Sequence, residues 1–288
     1  MGMHASTAPI AVPVTRDHAW VEREYNREKY PVVLDAVRRA LAAGERDLSR
    51  VVGRVIESER GALALDMRRA IAIDGVAMTL PLALASAGVS GYVTQALAQM
   101  CTPETSAVIE LGSGWGRNLF NLHLSGATEA HTTFYALEYA QSAREAAALV
   151  AGTAPDLAFA ANAFDYHAPD YSMIAPTSAP ALLATIHSVE QIPYLKPEVF
   201  LKLIERRPNL SAVHLEPIGW QLPAHHLGGR APCSSREYAQ HHDYNRNLWD
   251  VLTELDRSSV IEILEVAGDV IGMNPRNPST LIRWRTRR

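Results

Sequence analysis

The stretch Val108-Ile109-Glu110-Leu111-Gly112-Ser113-Gly114-Trp115-Gly116-Arg117-Asn118 constrains this chain more than any other. A short apolar run ends in an acidic residue, three glycines follow at every second position, and residues 117–122 can begin a helix. Strand, glycine turn and helix in that order are the context of a nucleotide-binding element. Glycine permits dihedrals that a side chain forbids and lets a ligand approach the main chain closely. The free N–H groups at the helix start then face polar ligand atoms.

The residues after this turn give it a frame. From residue 106 onward, apolar runs alternate with helical stretches, the signature of a parallel α/β sheet. Strands are expected at 107–111, 133–138, 157–161, 181–186 and 211–215, then a closing pair at 260–271 and 280–284 around Asn274-Pro275-Arg276-Asn277-Pro278. Ala140 to Val150 forms an alanine-rich helix, and Glu198 to Arg206 a second one. Residues 17–100 read as helical: Val32, Val33, Val37 and Leu41 recur at helical spacing, as do Leu48, Val51, Val52, Val55 and Ile56, and Leu63, Leu65, Met67, Ile71 and Ile73. No strand alternation stands out there.

The spacing E-x-G-x-G-x-G differs from the dinucleotide fingerprint G-x-G-x-x-G. It resembles motif I of the class I S-adenosylmethionine (SAM) methyltransferases, in which an acidic residue and three alternating glycines hold the amino acid half of SAM. The order of the later signals resembles the same family over about residues 106–285: an acidic second strand end, a polar third strand end, two functional strand ends and a terminal hairpin. The resemblance implies an α/β, Rossmann-like, seven-stranded, mostly parallel sheet, with an antiparallel strand inserted by the hairpin and an N-terminal helical region before it. The expected division is a disordered tail at 1–15, a helical lid or dimerisation region at 16–100, and a SAM-binding domain at 101–288 with a long loop at 218–244.

Expected site residues follow. Glu110, Gly112, Gly114, Gly116 and Asn118 form the cofactor turn. Glu138 ends the second strand, where a carboxylate can accept both ribose hydroxyls; it lies 28 residues after Glu110, against about 20 in the dinucleotide case. Asn162 and Ala163 fall where the family places an acidic residue and a small neighbour near adenine, with Asp165 as the alternative. His187 and Glu190 follow the fourth strand, facing sulfonium and acceptor. A histidine there can take the acceptor's proton or simply shape the cofactor pocket. Glu216 ends the fifth strand and is a further catalytic candidate or a buttress for the loop. Trp220, His225, His226 and Tyr244 in the long loop are candidate substrate contacts. No zinc spacing supports a metal site around His225, His226, His241 and His242.

Composition narrows the partners. The 288 residues are 48% hydrophobic and 20% charged with a formal net charge of −4, which draws the chain to neither nucleic acid nor anionic membrane. No run of about 18 apolar residues is present for a membrane span. Cys101 and Cys233 make no disulfide framework, so a reducing compartment, the cytoplasm, is expected. The expected function is methyl transfer from SAM to an O or N atom of a small molecule, secondary metabolites included, by a protein able to form a homodimer through its N-terminal helices. The alternatives are a non-catalytic SAM- or nucleotide-binding regulatory module and a protein methyltransferase.

Overall fold

The structure, a computed structural model, describes residues 15–60, 67–229, 231, 233–234 and 236–287. Residues 1–14 of the expected tail at 1–15 lie outside the described residues, as do Leu63 and Leu65. Among the described residues nine strands form one sheet: β1 Arg68–Ile73, β2 Val76–Pro81, β3 Ala107–Leu111, β4 Thr133–Glu138, β5 Phe159–Ala163, β6 Ala181–Ile186, β7 Leu210–Glu216, β8 Ile261–Gly272 and β9 Ser279–Thr286. Their order is β2-β1-β8-β9-β7-β6-β3-β4-β5. Strands β3 to β7 pair in parallel, and β9 runs antiparallel between β7 and β8. The seven strands from β3 to β9 thus form the expected Rossmann-like sheet with its inserted antiparallel strand.

Two strands were not expected. The N-terminal region is helical at Tyr30–Ala42, Leu48–Arg60 and Leu82–Ala98, but β1 and β2 form a hairpin between them. Asp74 (φ +48°) and Gly75 (φ +70°) make its two-residue turn, both in the left-handed region that such tight hairpins require. The Asp74-Gly75 pair, with Ala70-Ile71-Ala72-Ile73 before it, is the signal a helical reading of this segment passes over. The hairpin docks on β8 through Ala72↔Gly272 and Ile73↔Ile271, widening the sheet to nine strands.

The core lies on both faces of the sheet. Ile109, Leu183, Phe200, Ala212 and Trp284 pack on one side; Val108, Leu119, Phe134, Leu182 and Val213 pack on the other. A third cluster joins the N-terminal helices to the helix Gln141–Ala151 through Val33, Val37, Val51, Val55, Ala143, Ala146 and Val150. Burying one such valine is worth roughly 1.5–3 kcal/mol, so these helices are part of the fold. On β7, His214 is fully buried: Trp284 Nε1–H donates to its Nε2 at 2.7 Å, and its Nδ1 pairs with Thr185 Oγ1 at 2.8 Å. Burial pushes this imidazole down to about 3, and it serves as a neutral core residue.

The strand order reverses at β3, with β4 and β5 on one side and β6 and β7 on the other. In open α/β sheets the crevice at such a switch point, beyond the carboxyl ends of the strands, is where ligands bind.

Candidate functional site

A cavity of about 370 Å³ opens at that switch point. Its floor is the glycine turn. Gly112, Gly114 and Gly116 all have positive φ, at +65°, +55° and +80°. A Cβ on Gly112 would stand 2.5 Å from Ser188 Cβ, and one on Gly114 would stand 2.6 Å from the Tyr30 hydroxyl oxygen. Both positions therefore need glycine for conformation and for space. Glu138, at the end of β4, braces the turn: its Oε2 accepts the Gly114 N–H at 2.7 Å and its Oε1 accepts the Ala140 N–H at 2.9 Å. A carboxylate oxygen has two lone pairs, so each keeps acceptor capacity for a ligand in the cavity that Glu138 lines. Burial raises this carboxyl above its ordinary range, against the two N–H groups that favour its charged form.

Glu110 is buried beneath the turn. Asn118 Nδ2–H donates to its Oε1 at 2.6 Å, while its buried Oε2 has no hydrogen-bond partner among the described residues. Burial pushes its carboxyl up to about 8, outweighing the Asn118 bond, with Glu138 and Glu216 adding repulsion. An unpartnered buried carboxylate oxygen costs on the order of 1–3 kcal/mol, which a cationic donor at this place would offset.

The loop after β6 forms the opposite wall. His187 sits at φ +51°, which turns its ring inward; its side chain is 37% exposed, enough to meet a ligand. Its Nδ1 lies 3.2 Å from Glu190 Oε2 and its Nε2 2.7 Å from Ser279 Oγ. Burial alone would lower this imidazole. The Glu190 carboxylate outweighs burial, with Glu216 behind it and Lys29 as a smaller opposing charge, and His187 titrates above its ordinary value. Glu190 is buried and also accepts from Asn277 Nδ2 at 3.2 Å and Gln191 Nε2 at 2.8 Å. Burial raises Glu190, but the His187 charge and hydrogen bond prevail and hold it below the ordinary carboxylate range.

Several expected residues lie elsewhere. Glu216 is fully buried and off the cavity wall; it accepts the N–H groups of Ser188, Val189 and Glu190, each at 3.1 Å. These three contacts hold that loop, as a buttress does, and Glu216 has no face on the cavity. Asn162 and Ala163 lie inside β5, paired with Leu137 and Glu138, because the third strand runs two residues beyond its expected end. The chain turns into the cavity only at Phe164, Asp165, Tyr166 and His167. Trp220, His225 and His226 also lie off the wall: the expected loop holds short helices at Gly219–Gln221, Ala224–Leu227 and Arg236–His241, and His226 packs edge-on against Trp249 at 5.1 Å. Tyr244 is buried behind Arg16, whose guanidinium stacks 4.7 Å from the tyrosine ring and 4.1 Å from Trp20.

The sequence reading singled out no residue of the N-terminal cover. Val21, Tyr25, Lys29, Tyr30 and Glu59 line the cavity from the N-terminal side. Glu59 Oε1 accepts the Trp115 Nε1–H at 2.9 Å, pinning the helix Leu48–Arg60 to the glycine turn. Arg16 fastens the start of this cover, donating to Asp243 Oδ2 at 3.0 Å and to the His242 carbonyl at 2.6 Å. Part of it, Glu22–Lys29, is a π-helix, a rare form found often at functional positions. Its sequence is a charged, amphipathic run, which by itself does not mark a cavity wall.

No protein-family model matches the chain, and no curated protein matches it. Solved structures do. The chain is similar to a SAM-dependent methyltransferase from Aquifex aeolicus at 12% identity, over 67% of this chain and 88% of that one, with a TM-score of 0.44. It is similar to geranyl diphosphate C-methyltransferase from Streptomyces coelicolor A3(2), at 8% identity over 72% and 81% with a TM-score of 0.47. A mitomycin 7-O-methyltransferase matches at 12% identity over 93% and 70% with a TM-score of 0.43.

Proposed function

We propose that this protein is a SAM-dependent methyltransferase that transfers a methyl group to an O or N atom of a small molecule. The observation that carries this reading is the unpartnered, buried Glu110 Oε2 beneath a glycine turn that a Cβ would fill. Glu110 suits the cofactor's α-ammonium, and the free lone pairs of Glu138 suit the ribose hydroxyls. Bound there, SAM supplies a methyl group already activated by its sulfonium. The protein's own work is to orient the acceptor, exclude water and hold a proton. Tyr25, Lys29 and Tyr30 close the cavity from above, so the N-terminal helices act as a lid, and closure shields and aligns reacting groups. His187 is the base and Glu190 orients it. A small molecule suits a cavity of about 370 Å³ better than a polymer does. A homodimer through the outer face of these helices, where Val32 is exposed, belongs to the same reading.

Calorimetry with SAM and with S-adenosylhomocysteine tests cofactor binding, and transfer of isotope-labelled methyl from SAM into a small-molecule extract identifies the acceptor. No heat with either ligand would sink the proposal.

Two outcomes follow directly. Glu138→Ala weakens SAM and S-adenosylhomocysteine together, since both carry the same ribose. A charge-assisted hydrogen bond is worth about 1.5–3 kcal/mol, or about 10- to 150-fold in affinity. A change under about twofold, in a variant whose thermal melt is intact, moves the ribose contact elsewhere.

SAM affinity also rises from pH 6 toward pH 8. Glu110 has a folded-state pKa of about 8, raised by burial, so it is neutral at pH 6 and must lose a proton to pair with an ammonium. The rise is at most about tenfold per pH unit. For the free protein the sign is opposite: a raised carboxyl contributes stability that is present below its unfolded value and lost as pH climbs toward 8. Heats compared across buffers of different ionisation enthalpy report the proton released, and Glu110→Gln abolishes it. A flat affinity profile with no proton release removes Glu110 from the ammonium contact.

A further inference from the structure

The environment of His187 leaves neither ring nitrogen open. Nδ1 faces Glu190 Oε2 at 3.2 Å and Nε2 faces Ser279 Oγ at 2.7 Å. With the ring neutral, the ionised Glu190 carboxylate can only accept, so Nδ1 carries the hydrogen and Nε2 presents its one lone pair. That lone pair is taken by the Ser279 O–H. His187 therefore cannot touch an acceptor's proton directly in this arrangement. Ser279 can: it lines the cavity, and once its hydrogen points to Nε2 both of its oxygen lone pairs remain free to accept.

The β8–β9 hairpin holds Ser279 in place. Ile271 pairs with Ser279 across the strands, and a Cβ on Gly272 would stand 2.6 Å from Pro278 Cα, so the turn is closely packed. The same turn sends Asn277 to Glu190 at 3.2 Å. One hairpin thus supplies a partner to each end of the His187–Glu190 pair. The groups around His187 are Glu190 on its own loop, Glu216 on β7, Lys29 from the N-terminal cover and Ser279 on β9.

We propose that Ser279, His187 and Glu190 work as one proton relay, in which the Ser279 hydroxyl meets the acceptor's O–H or N–H group and passes its own proton to His187. The proposal rests on the methyltransferase reading and deepens it, because it assigns the acceptor to the class that must lose a proton. The acceptor's lone pair forms the bond to the methyl carbon as that carbon's bond to sulfur breaks, leaving its electron pair on sulfur. The acceptor's proton moves to Ser279 Oγ and the serine's proton moves to His187 Nε2. Glu190 stays ionised beside the imidazolium, so the positive charge that leaves sulfur ends on His187. The same three groups at the same spacings resemble the nucleophile–base–orienter arrangement recognised by geometry in unrelated folds.

The relay has a readout that needs no acceptor. If His187 takes the Ser279 proton, then Ser279 Oγ attacks the phosphorus of diisopropyl fluorophosphate: an O–P bond forms, the P–F bond breaks, fluoride leaves and the proton goes to Nε2. Peptide mass spectrometry on the wild-type protein is expected to find one adduct, on Ser279, with a rate that rises with pH through the titration of His187. His187→Asn loses the adduct, and Glu190→Gln slows it on the order of 10²-fold or more. An unlabelled Ser279 in the wild type, or equal labelling in His187→Asn, overturns the relay. Calorimetry with S-adenosylhomocysteine on the same preparations separates the two ideas. Heat without label removes the relay and leaves methyl transfer; label without heat removes methyl transfer and the relay's place in it.

Discussion

Valine in place of Gly114 is expected to abolish SAM binding in a protein that still folds. Gly114 sits at φ +55°, where a β-branched residue is a genuine outlier. The left-handed conformation costs an L-residue roughly 1–2 kcal/mol before any contact is made. Contact adds to it: an ideal Cβ meets the Tyr30 hydroxyl oxygen at 2.6 Å and ring carbons at 3.2 and 3.4 Å. Tyr30 is buried by the N-terminal helix packing, so the ring must swing toward the cavity or the turn must move away. The first fills the ligand's space. The second pulls the Gly114 N–H from Glu138, the residue placed to meet the ribose. Gly53→Ala is the control, because it lies within the helix Leu48–Arg60 with nothing inside 4 Å of its Cβ. Removing a mid-helix glycine there stabilises by about 1 kcal/mol. Calorimetry and a thermal melt decide the case: a folded Gly114→Val with wild-type affinity would falsify the assignment of the turn to the cofactor.

Replacing His187 is expected to lower turnover by roughly 10²–10⁴-fold while SAM affinity is kept, the range general-base catalysis commonly covers. The substitution needs care, because His187 lies at φ +51° and alanine is strained there. Asparagine tolerates that conformation and carries no base, so His187→Asn separates chemistry from backbone. The pH dependence has a definite sign. Turnover needs neutral His187, so it rises with pH and levels off above a pKa lying higher than the ordinary histidine value, as the Glu190 carboxylate requires. Glu190→Gln should move that limb to lower pH. The measurement is turnover at saturating SAM, with the acceptor found by isotope transfer, from pH 5.5 to about 9. If affinity falls and saturated turnover stays at the wild-type level, His187 only shapes the cofactor pocket.

How much of this was legible beforehand depended on range. The turn from Glu110 to Asn118 was readable because its demands are local: three positive φ values need three glycines, and a strand must precede a helix. The strands Ala107–Leu111, Thr133–Glu138 and Ala181–Ile186 fell at their expected bounds, since buried parallel strands are short apolar runs between clear breaks. Glu138, His187 and Glu190 could be placed at the crevice by the same logic, because strand ends in an open sheet point there.

Tertiary packing decided the rest. Whether a carboxylate faces a ligand or a backbone is set by which N–H groups come near it. Glu216 ends a strand as Glu138 does, yet three amides of the β6 loop claim it. A two-residue extension of β5 drew Asn162 into the sheet and left Phe164, Asp165 and Tyr166 at the cavity, a shift set by pairing with β4. Tyr25, Lys29 and Tyr30 reach the site across more than 80 residues of chain, through apolar contacts that carry no local mark. Ser279 is one serine at the start of a strand in the sequence. It becomes the partner of His187 only because β9 inserts beside β7 and its hairpin turns back over the loop after β6. The amino acids of the glycine turn determined where a ligand could lie close to the backbone; the fold determined which side chains would meet it there, because contacts between distant elements depend on packing that no single stretch encodes.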